Sequence, residues 1–340
     1  MKVLIVGAAG MIGRKLTARL VRDGKLAGKA ITNAHLVDVV APQPPANAPF
    51  TVTLDAFDIA ASYVASKLAA PRPDIIFLLA SVVSGEAEAD FDKGYAINLG
   101  GTHAIFEAIR REQALSGAAY KPRLIFTSSI AVYGAPFPDK IGDEFLAAPL
   151  TSYGTQKAVC ELWLADYSRR GFFDGVGLRL PTICVRPGLP NKAASGFFSG
   201  IIREPLAGKE AILPVGDDVR HWHASPRAAV EFLLRGAELD LSLLGARRSL
   251  NLPGVSVTVG EQELADRLLR SVAGQWSGKK LVADLVRKRR AIDGDRGGED
   301  QTRLVGAARQ RLLAPDRLEQ SMSSADIDGV AFIEIRLRFA

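Results

Sequence analysis

Lys2-Val3-Leu4-Ile5-Val6-Gly7-Ala8-Ala9-Gly10-Met11-Ile12-Gly13 is the stretch that decides the fold. An apolar run of strand length stops at Gly7, and from Met11 to Val21 the apolar residues recur at helical spacing. Gly7, Gly10 and Gly13 permit a tight turn, a close approach to bare backbone and close packing of the helix on the strand. The first helical residues, Met11 and Ile12, lie at the positive end of the helix dipole, where an anion is favoured. Strand, GxxGxxG turn and helix together make a seat for the pyrophosphate of a dinucleotide.

Outward from that unit, the same alternation recurs. His35–Val39 and Phe50–Leu54 read as the second and third strands, Ile59–Leu68 as a helix, and Asp74–Ala80 as a fully apolar strand at the buried centre of a parallel sheet. Tyr95–Gln113 is a long helical pattern, Arg123–Ser128 a strand ending in hydroxyl residues, Ser152–Tyr167 a helix and Gly175–Leu180 a further strand. The fold class is α/β, a Rossmann-type doubly wound parallel sheet with a smaller C-terminal substrate-binding part. Beyond Pro181 the alternation is irregular apart from a helix over Pro226–Ala237. The expected division is 1–180 for the dinucleotide domain, 181–275 mainly for substrate with some returns to the sheet, and 276–340 as an atypical tail, divergent or translated out of the ancestral frame.

In such sheets ligands sit at the carboxyl ends of strands, which directs attention to the residues there. Asp38 closes the second strand, where a carboxylate accepts from the adenosine ribose hydroxyls and repels a 2′-phosphate, favouring NAD over NADP. Its alternative role is a loop cap. Asp58 and Ile59 follow the third strand and face the adenine, or Asp58 caps a helix. Tyr153 and Lys157 stand four apart in a helix, so phenol and ammonium share one face. A tyrosine ionises near pH ~10, so a cation must favour its phenolate if it is to act as a base at neutral pH. Thr127, Ser128 and Ser129 end a strand and supply a hydroxyl to orient a substrate oxygen beside Tyr153.

These motifs resemble the extended short-chain dehydrogenase/reductase family, the NAD-dependent epimerases and dehydratases, from Met1 to about Ala273. The resemblance makes Ser129, in Ser128-Ser129-Ile130-Ala131-Val132-Tyr133-Gly134, the catalytic serine, with Tyr153 and Lys157 as the acid/base pair. It aligns Asn98, in Asn98-Leu99-Gly100-Gly101-Thr102, with an asparagine at the cofactor side of the site. Leu79, Ala80 and Ser81, and Pro181 within Leu180–Thr182, border the nicotinamide. Nucleotide-sugar members carry an arginine in an R-D-[YF]-[VI]-x-V-x-D stretch. Here Arg220-His221-Trp222-His223-Ala224-Ser225 keeps only the arginine. That segment and the loop Val185-Arg186-Pro187-Gly188-Leu189-Pro190-Asn191-Lys192-Ala193-Ala194-Ser195-Gly196 resemble the branch that oxidises the 2-hydroxyl of a four-carbon sugar acid. Arg186 and Arg220 are candidate forks for the substrate carboxylate, with Ser195 as a hydroxyl ligand; either arginine could instead serve a structural ion pair. A uronate dehydrogenase, a nucleotide-sugar 4-epimerase and an NAD-binding sensor or assembly protein without turnover are the alternatives.

Composition agrees. In 340 residues, 48% are hydrophobic, which suffices for a large packed core. Apolar runs are too short to span a bilayer, so the expectation is a cytoplasmic enzyme of carbohydrate metabolism with no membrane and no nucleic-acid partner. The net charge of +6 is spread out, and the run Lys279–Arg290 reads as a solvated face. Cys160 and Cys184 fall within regular elements and read as packing residues; no spacing suggests a metal. The resemblance also implies a homodimer paired through the helices bearing Asn98 and Tyr153.

Overall fold

The computed structural model describes residues 1–188 and 192–263. The proposed tail, the run Lys279–Arg290 and Leu189, Pro190 and Asn191 of the quoted loop lie outside them. The chain groups into two units, one of Met1–Ser199 with Trp222–Ser256, the other described over Gly200–His221 and 257–263.

The first unit opens with β1 (Lys2–Val6) and α1 (Met11–Asp23). Gly24 ends α1 at φ +62°, its N–H returning to the Leu20 carbonyl, a left-handed stop that suits glycine. A hairpin, β2 (Lys25–Leu26) and β3 (Lys29–Ala30), precedes β4 (Asn33–Asp38), β5 (Thr51–Ala56), α2 (Val64–Ala69) and β6 (Ile75–Leu78). Next come α3 (Ser84–Ala89), α4 (Phe91–Gly94), a π-helical stretch Tyr95–Gly101, α5 (Thr102–Leu115) and β7 (Arg123–Ser129). α6 (Ser152–Arg169) and β8 (Asp174–Leu180) complete the regular alternation. β9 (Thr182–Ile183), α7 (Phe197–Leu206), β10 (Arg220–Ala224), α8 (Pro226–Glu238), β11 (Ser249–Asn251) and β12 (Val255–Thr258) follow.

Seven strands form one sheet in the order β5-β4-β1-β6-β7-β8-β11, every pair parallel. The order reverses between β1 and β6, so the glycine turn after β1 opens at the switch point where such sheets take their ligand. The strands are apolar on both faces because helices cover both. Leu4, Val6, Ile76, Leu78, Leu124 and Phe126 point to one side, where they pack with Leu68 of α2, Phe106 of α5 and Leu164 of α6. The intervening residues face the other side, where α8 lies so close that a Cβ on Gly236 would stand 3.1 Å from Leu178 and 3.5 Å from Ile125. Each large side chain buried in these layers contributes about 1.5–3 kcal/mol.

Strand positions agree with the sequence pattern to within two residues, and two helices differ. The pattern over Ile59–Leu68 becomes helical only at Val64, because Asp58 holds a turn first: Ala60 N–H donates to its carboxylate at 2.9 Å. The long pattern from Tyr95 begins as π-helix and turns to α-helix at Thr102. The hairpin β2-β3 and the return of β11 to the sheet edge carried no periodic signal, both being too short for one.

Candidate active site

The glycine turn is built as a cradle. Gly7 has φ +98°, and a Cβ there would meet the Ala80 nitrogen at 2.6 Å. A Cβ on Gly13 would lie 2.2 Å from the Gly7 carbonyl oxygen, so that glycine lets α1 sit against the turn. Gly10 is different: exposed, and with only the Gly7 oxygen, 3.3 Å away, near its hypothetical Cβ. No side chain caps α1, which leaves the N–H groups of its first turn facing outward at Met11 and Ile12. Asp38 braces the turn by accepting from Ala9 N–H at 2.9 Å and Val39 N–H at 2.7 Å. Bare backbone at Gly10, an uncapped helix start and a carboxylate at the end of β4 fit an NAD pyrophosphate and ribose.

On the facing side of the switch point, Leu79 and Ala80 donate their N–H groups to the Val6 carbonyl and carry the chain across the end of β1. Ile59 is 5% exposed and packs on Gly101, which makes it part of the core rather than an open wall. Pro181 is buried between β8 and β9.

The hydroxyl cluster sorts itself by the alternation of β7. Thr127 donates to the Leu78 carbonyl at 3.1 Å and Ser128 to Glu161, both inside the protein. Ser129 emerges at the strand end and accepts from Ala131 N–H at 3.1 Å. Thr151 caps α6 by accepting from Gly154 N–H, which sets Tyr153 in the first turn of that helix. Burial pushes the phenol above its usual value, while the Ser129 hydroxyl, the Arg186 charge and the Ser81 hydroxyl draw it back. Lys157, 2% exposed, donates to the Thr127 carbonyl at 2.9 Å and stands 5.6 Å from the centre of the Tyr153 ring. Burial brings its ammonium down to about 8, against the raising influence of Cys160 and Glu161.

Asn98 sits in the π-helical stretch with all four of its hydrogen-bonding positions engaged. Its Oδ1 accepts from Ser81 Oγ and Val82 N–H, each at 2.8 Å. Its Nδ2 donates to the Val82 carbonyl at 3.1 Å and to Gln156 Oε1 at 2.7 Å. With its capacity spent, Asn98 acts on the site through the loop after β6 and through α6, not by direct contact with a ligand.

Arg186 and Ser195 come together: the Arg186 guanidinium donates to Ser195 Oγ at 3.4 Å and to the Ile183 carbonyl at 3.0 Å. The Arg186 charge also draws the Tyr153 phenol down, an influence that helix spacing alone would not have announced. Arg220 belongs to the second unit, more than half exposed and 3.6 Å from Glu261. His223 is buried against Phe198 with ring centres 4.8 Å apart, and burial holds His221 down to about 4. Among the described residues no three His, Cys, Asp or Glu side chains cluster as metal ligands. Gln156, whose amide accepts from Asn98, is a residue the motif reading passed over, hidden inside the YxxxK spacing.

A doubly wound sheet with a dinucleotide cradle at its switch point is the architecture of an NAD-dependent enzyme. The chain belongs to the NAD dependent epimerase/dehydratase family, which matches residues 3–226. D-erythronate dehydrogenase of Cupriavidus necator is 48% identical over 290 residues, 84% of this chain and 85% of the relative. D-erythronate dehydrogenase of Haemophilus influenzae is 41% identical over 277 residues, 81% and 83% of the two chains. A solved structure from Agrobacterium tumefaciens, described as a nucleoside-diphosphate-sugar epimerase, is 61% identical and superposes with a TM-score of 0.76, covering 81% of this chain and 79% of that one. L-threonine dehydrogenase from Cupriavidus necator, 21% identical with a TM-score of 0.67 over 81% and 84% of the chains, shares the fold. No helix among the described residues is long and apolar enough to cross a membrane.

Proposed function

We propose that this protein oxidises the 2-hydroxyl of D-erythronate to 2-oxo-D-erythronate, with NAD as the electron acceptor. The observation that carries the reading is Tyr153 with the Lys157 ammonium 5.6 Å from its ring centre and with the Ser129 hydroxyl and the Arg186 charge both acting on its phenol. That set supports a proton acceptor, a hydroxyl for the reacting oxygen and a guanidinium for a carboxylate at one site. The identity to D-erythronate dehydrogenases over more than four fifths of the chain supports it.

In this mechanism Arg186 receives the substrate carboxylate, with Ser195 beside it, and so sets which end of a short acid enters first. Ser129 holds the C2 oxygen, and the Tyr153 phenolate takes its proton. Lys157, fixed on the Thr127 carbonyl and 5.6 Å from the centre of the phenol ring, offers positive charge to favour the phenolate against its burial. Gly7, Gly10, Met11, Ile12 and Gly13 hold the pyrophosphate, Asp38 the adenosine ribose, and Asp58, Leu79, Ala80 and Pro181 line the remainder of the cofactor's course. Bound NAD supplies the acceptor for the hydride leaving C2. Residues 1–180 then serve mainly the cofactor and the following segment mainly the substrate, in a cytoplasmic homodimer. Leu162 on α6 and Leu115 on α5, 72% and 74% exposed, are apolar surface that such pairing would cover.

The test follows NADH absorbance on mixing protein and NAD with D-erythronate, glucuronate or a nucleotide sugar. The expected result is a signal with D-erythronate, cut by about two to four orders of magnitude in Tyr153→Phe, the range for loss of a general base. Arg186→Ala is expected to raise KM for D-erythronate about 10–100-fold, the worth of a charge-assisted contact; Arg220→Ala measures the competing assignment. Interconversion of a nucleotide sugar without net NADH would replace the reading by an epimerase.

A further inference from the structure

The short helix α3 carries none of the groups assigned to NAD or to the proton, yet it is tied to the helix that bears Tyr153. Glu88, near its end, accepts from Ser152 N–H at 3.0 Å, one residue before Tyr153. The chain entering α3 is held from within, because Asn98 engages both the N–H and the carbonyl of Val82, at 2.8 and 3.1 Å. The start of α3 is thus braced from two directions.

That start grips the loop that carries Ser195. Ser84 Oγ accepts from Ala194 N–H at 3.1 Å. A Cβ on Gly85 would stand 2.3 Å from the Lys192 carbonyl oxygen and 3.7 Å from the Ala194 nitrogen, so the two backbones meet with no room for a side chain. Ala194–Gly196 form a single 3-10 turn, with Gly196 N–H on the Ala193 carbonyl at 2.8 Å, and a hold on Ala194 therefore fixes the next residue, Ser195. Arg186, which donates to Ser195 Oγ at 3.4 Å, has anchors of its own: its Nε donates to the Ile183 carbonyl and its backbone N–H to Ser199 Oγ, each at 3.0 Å. Loosening the grip moves Ser195 against a guanidinium that stays.

We propose that Ser84 and Gly85 are positioning residues for substrate binding: they seat Lys192 and Ala194 on α3 and so place Ser195 beside Arg186, where the substrate carboxylate arrives. The inference rests on Arg186 and Ser195 as the carboxylate ligands of the proposed reaction.

The experiment joins steady-state kinetics with D-erythronate to hydrogen exchange at the Ala194 amide, on the full chain. Ser84→Ala is expected to raise KM about 2–10-fold, the worth of one neutral hydrogen bond, with kcat and the Kd for NAD unchanged, and to speed the exchange. Ser84→Thr keeps the acceptor and is expected to restore both. Gly85→Ala forces the Lys192 carbonyl back by about 1 Å, from 2.3 Å to the 3.4 Å of ordinary contact, and is expected to raise KM further. In a Ser195→Ala background Ser84→Ala is expected to add nothing to KM, since both act through one hydroxyl. A KM unmoved by Ser84→Ala, a fall in kcat alone, or a full further rise in the Ser195→Ala background overturns the proposal. So does an Ala194 amide that exchanges in Ser84→Ala at the wild-type rate. A wild-type protein that leaves D-erythronate unoxidised overturns the substrate reading instead, and the exchange rates then decide the grip by themselves.

Discussion

Lys157 pays for its position between Thr127 and the phenol in a way that pH exposes. Below pH ~8 the ammonium is charged in both folded and unfolded chains, and folding bears its desolvation in full. Between about 8 and the ordinary value of 10.5 the unfolded chain holds the proton more firmly than the folded one, so folded stability rises with pH. Lys157→Met lacks that dependence. Urea unfolding at about pH 7.5 and about pH 9.5 is expected to show wild type gaining on the variant at the higher value, and a constant difference would count against the depressed ammonium. Gln156 makes the neighbouring case. It is wholly buried, and Gln156→Leu leaves the Asn98 Nδ2 proton without its acceptor, an expected loss of about 1–3 kcal/mol in the same measurement. YxxxK could be read from spacing because both members lie on one helix. Arg186 was not legible as a neighbour of that pair, since it comes from a separate segment, and Gln156, though it lies between the two in sequence, turns to Asn98.

Among the elements, the β1-turn-α1 unit was legible because all its requirements are local: apolar run, glycine spacing, helical period. Its glycines nonetheless do different things. Gly13→Ala drives a methyl into the Gly7 carbonyl and is expected to cost about 1–3 kcal/mol by overpacking, lowering the melting temperature with or without NAD. Gly10→Ala meets only the Gly7 oxygen, at 3.3 Å, a tight contact relieved by a shift of a few tenths of an ångström, so the apoprotein is expected to lose far less than Gly13→Ala while the stabilisation by NAD shrinks; about 2.7 kcal/mol is the stabilisation available at a hundredfold excess over Kd. A melting shift of equal size in the two apo variants would refute that division of labour. The π-helical stretch Tyr95–Gly101 was invisible, since its apolar residues keep a helical period while its backbone register is set by what Asn98 must reach.

Within the first unit, one polar chain, buried at Glu161 and exposed at Asp143, ties segments that are far apart in sequence. Glu161 of α6 pairs with Arg179 of β8 at 2.6 Å, Arg179 donates to the Tyr133 hydroxyl at 2.6 Å, and Tyr133 donates to Asn251 of β11 at 2.7 Å. Asn251 donates in turn to Asp143 in the loop before α6. Removing one charge strands the other, so Glu161→Ala is expected to cost about 3–5 kcal/mol in chemical denaturation. Because Ser128 loses its acceptor with Glu161, Ser129 loses a fixed neighbour, and kcat is expected to fall more than KM rises. No sequence pattern announced the chain, whose links join residues 18, 46, 108 and 118 positions apart.

Asn251 also sets a clock. A ribosome delivers β1, β4, β5 and β6 first, and these strands already include both sides of the switch point, so a nascent chain can close the cofactor cradle early. The Tyr133 hydroxyl must wait until residue 251 has left the exit tunnel before its acceptor arrives. During that interval the half that grips NAD exists ahead of the half that anchors Arg179 and the loop before α6. Stalled nascent chains ending shortly before β11 are therefore expected to resist protease better when NAD is present than when it is absent.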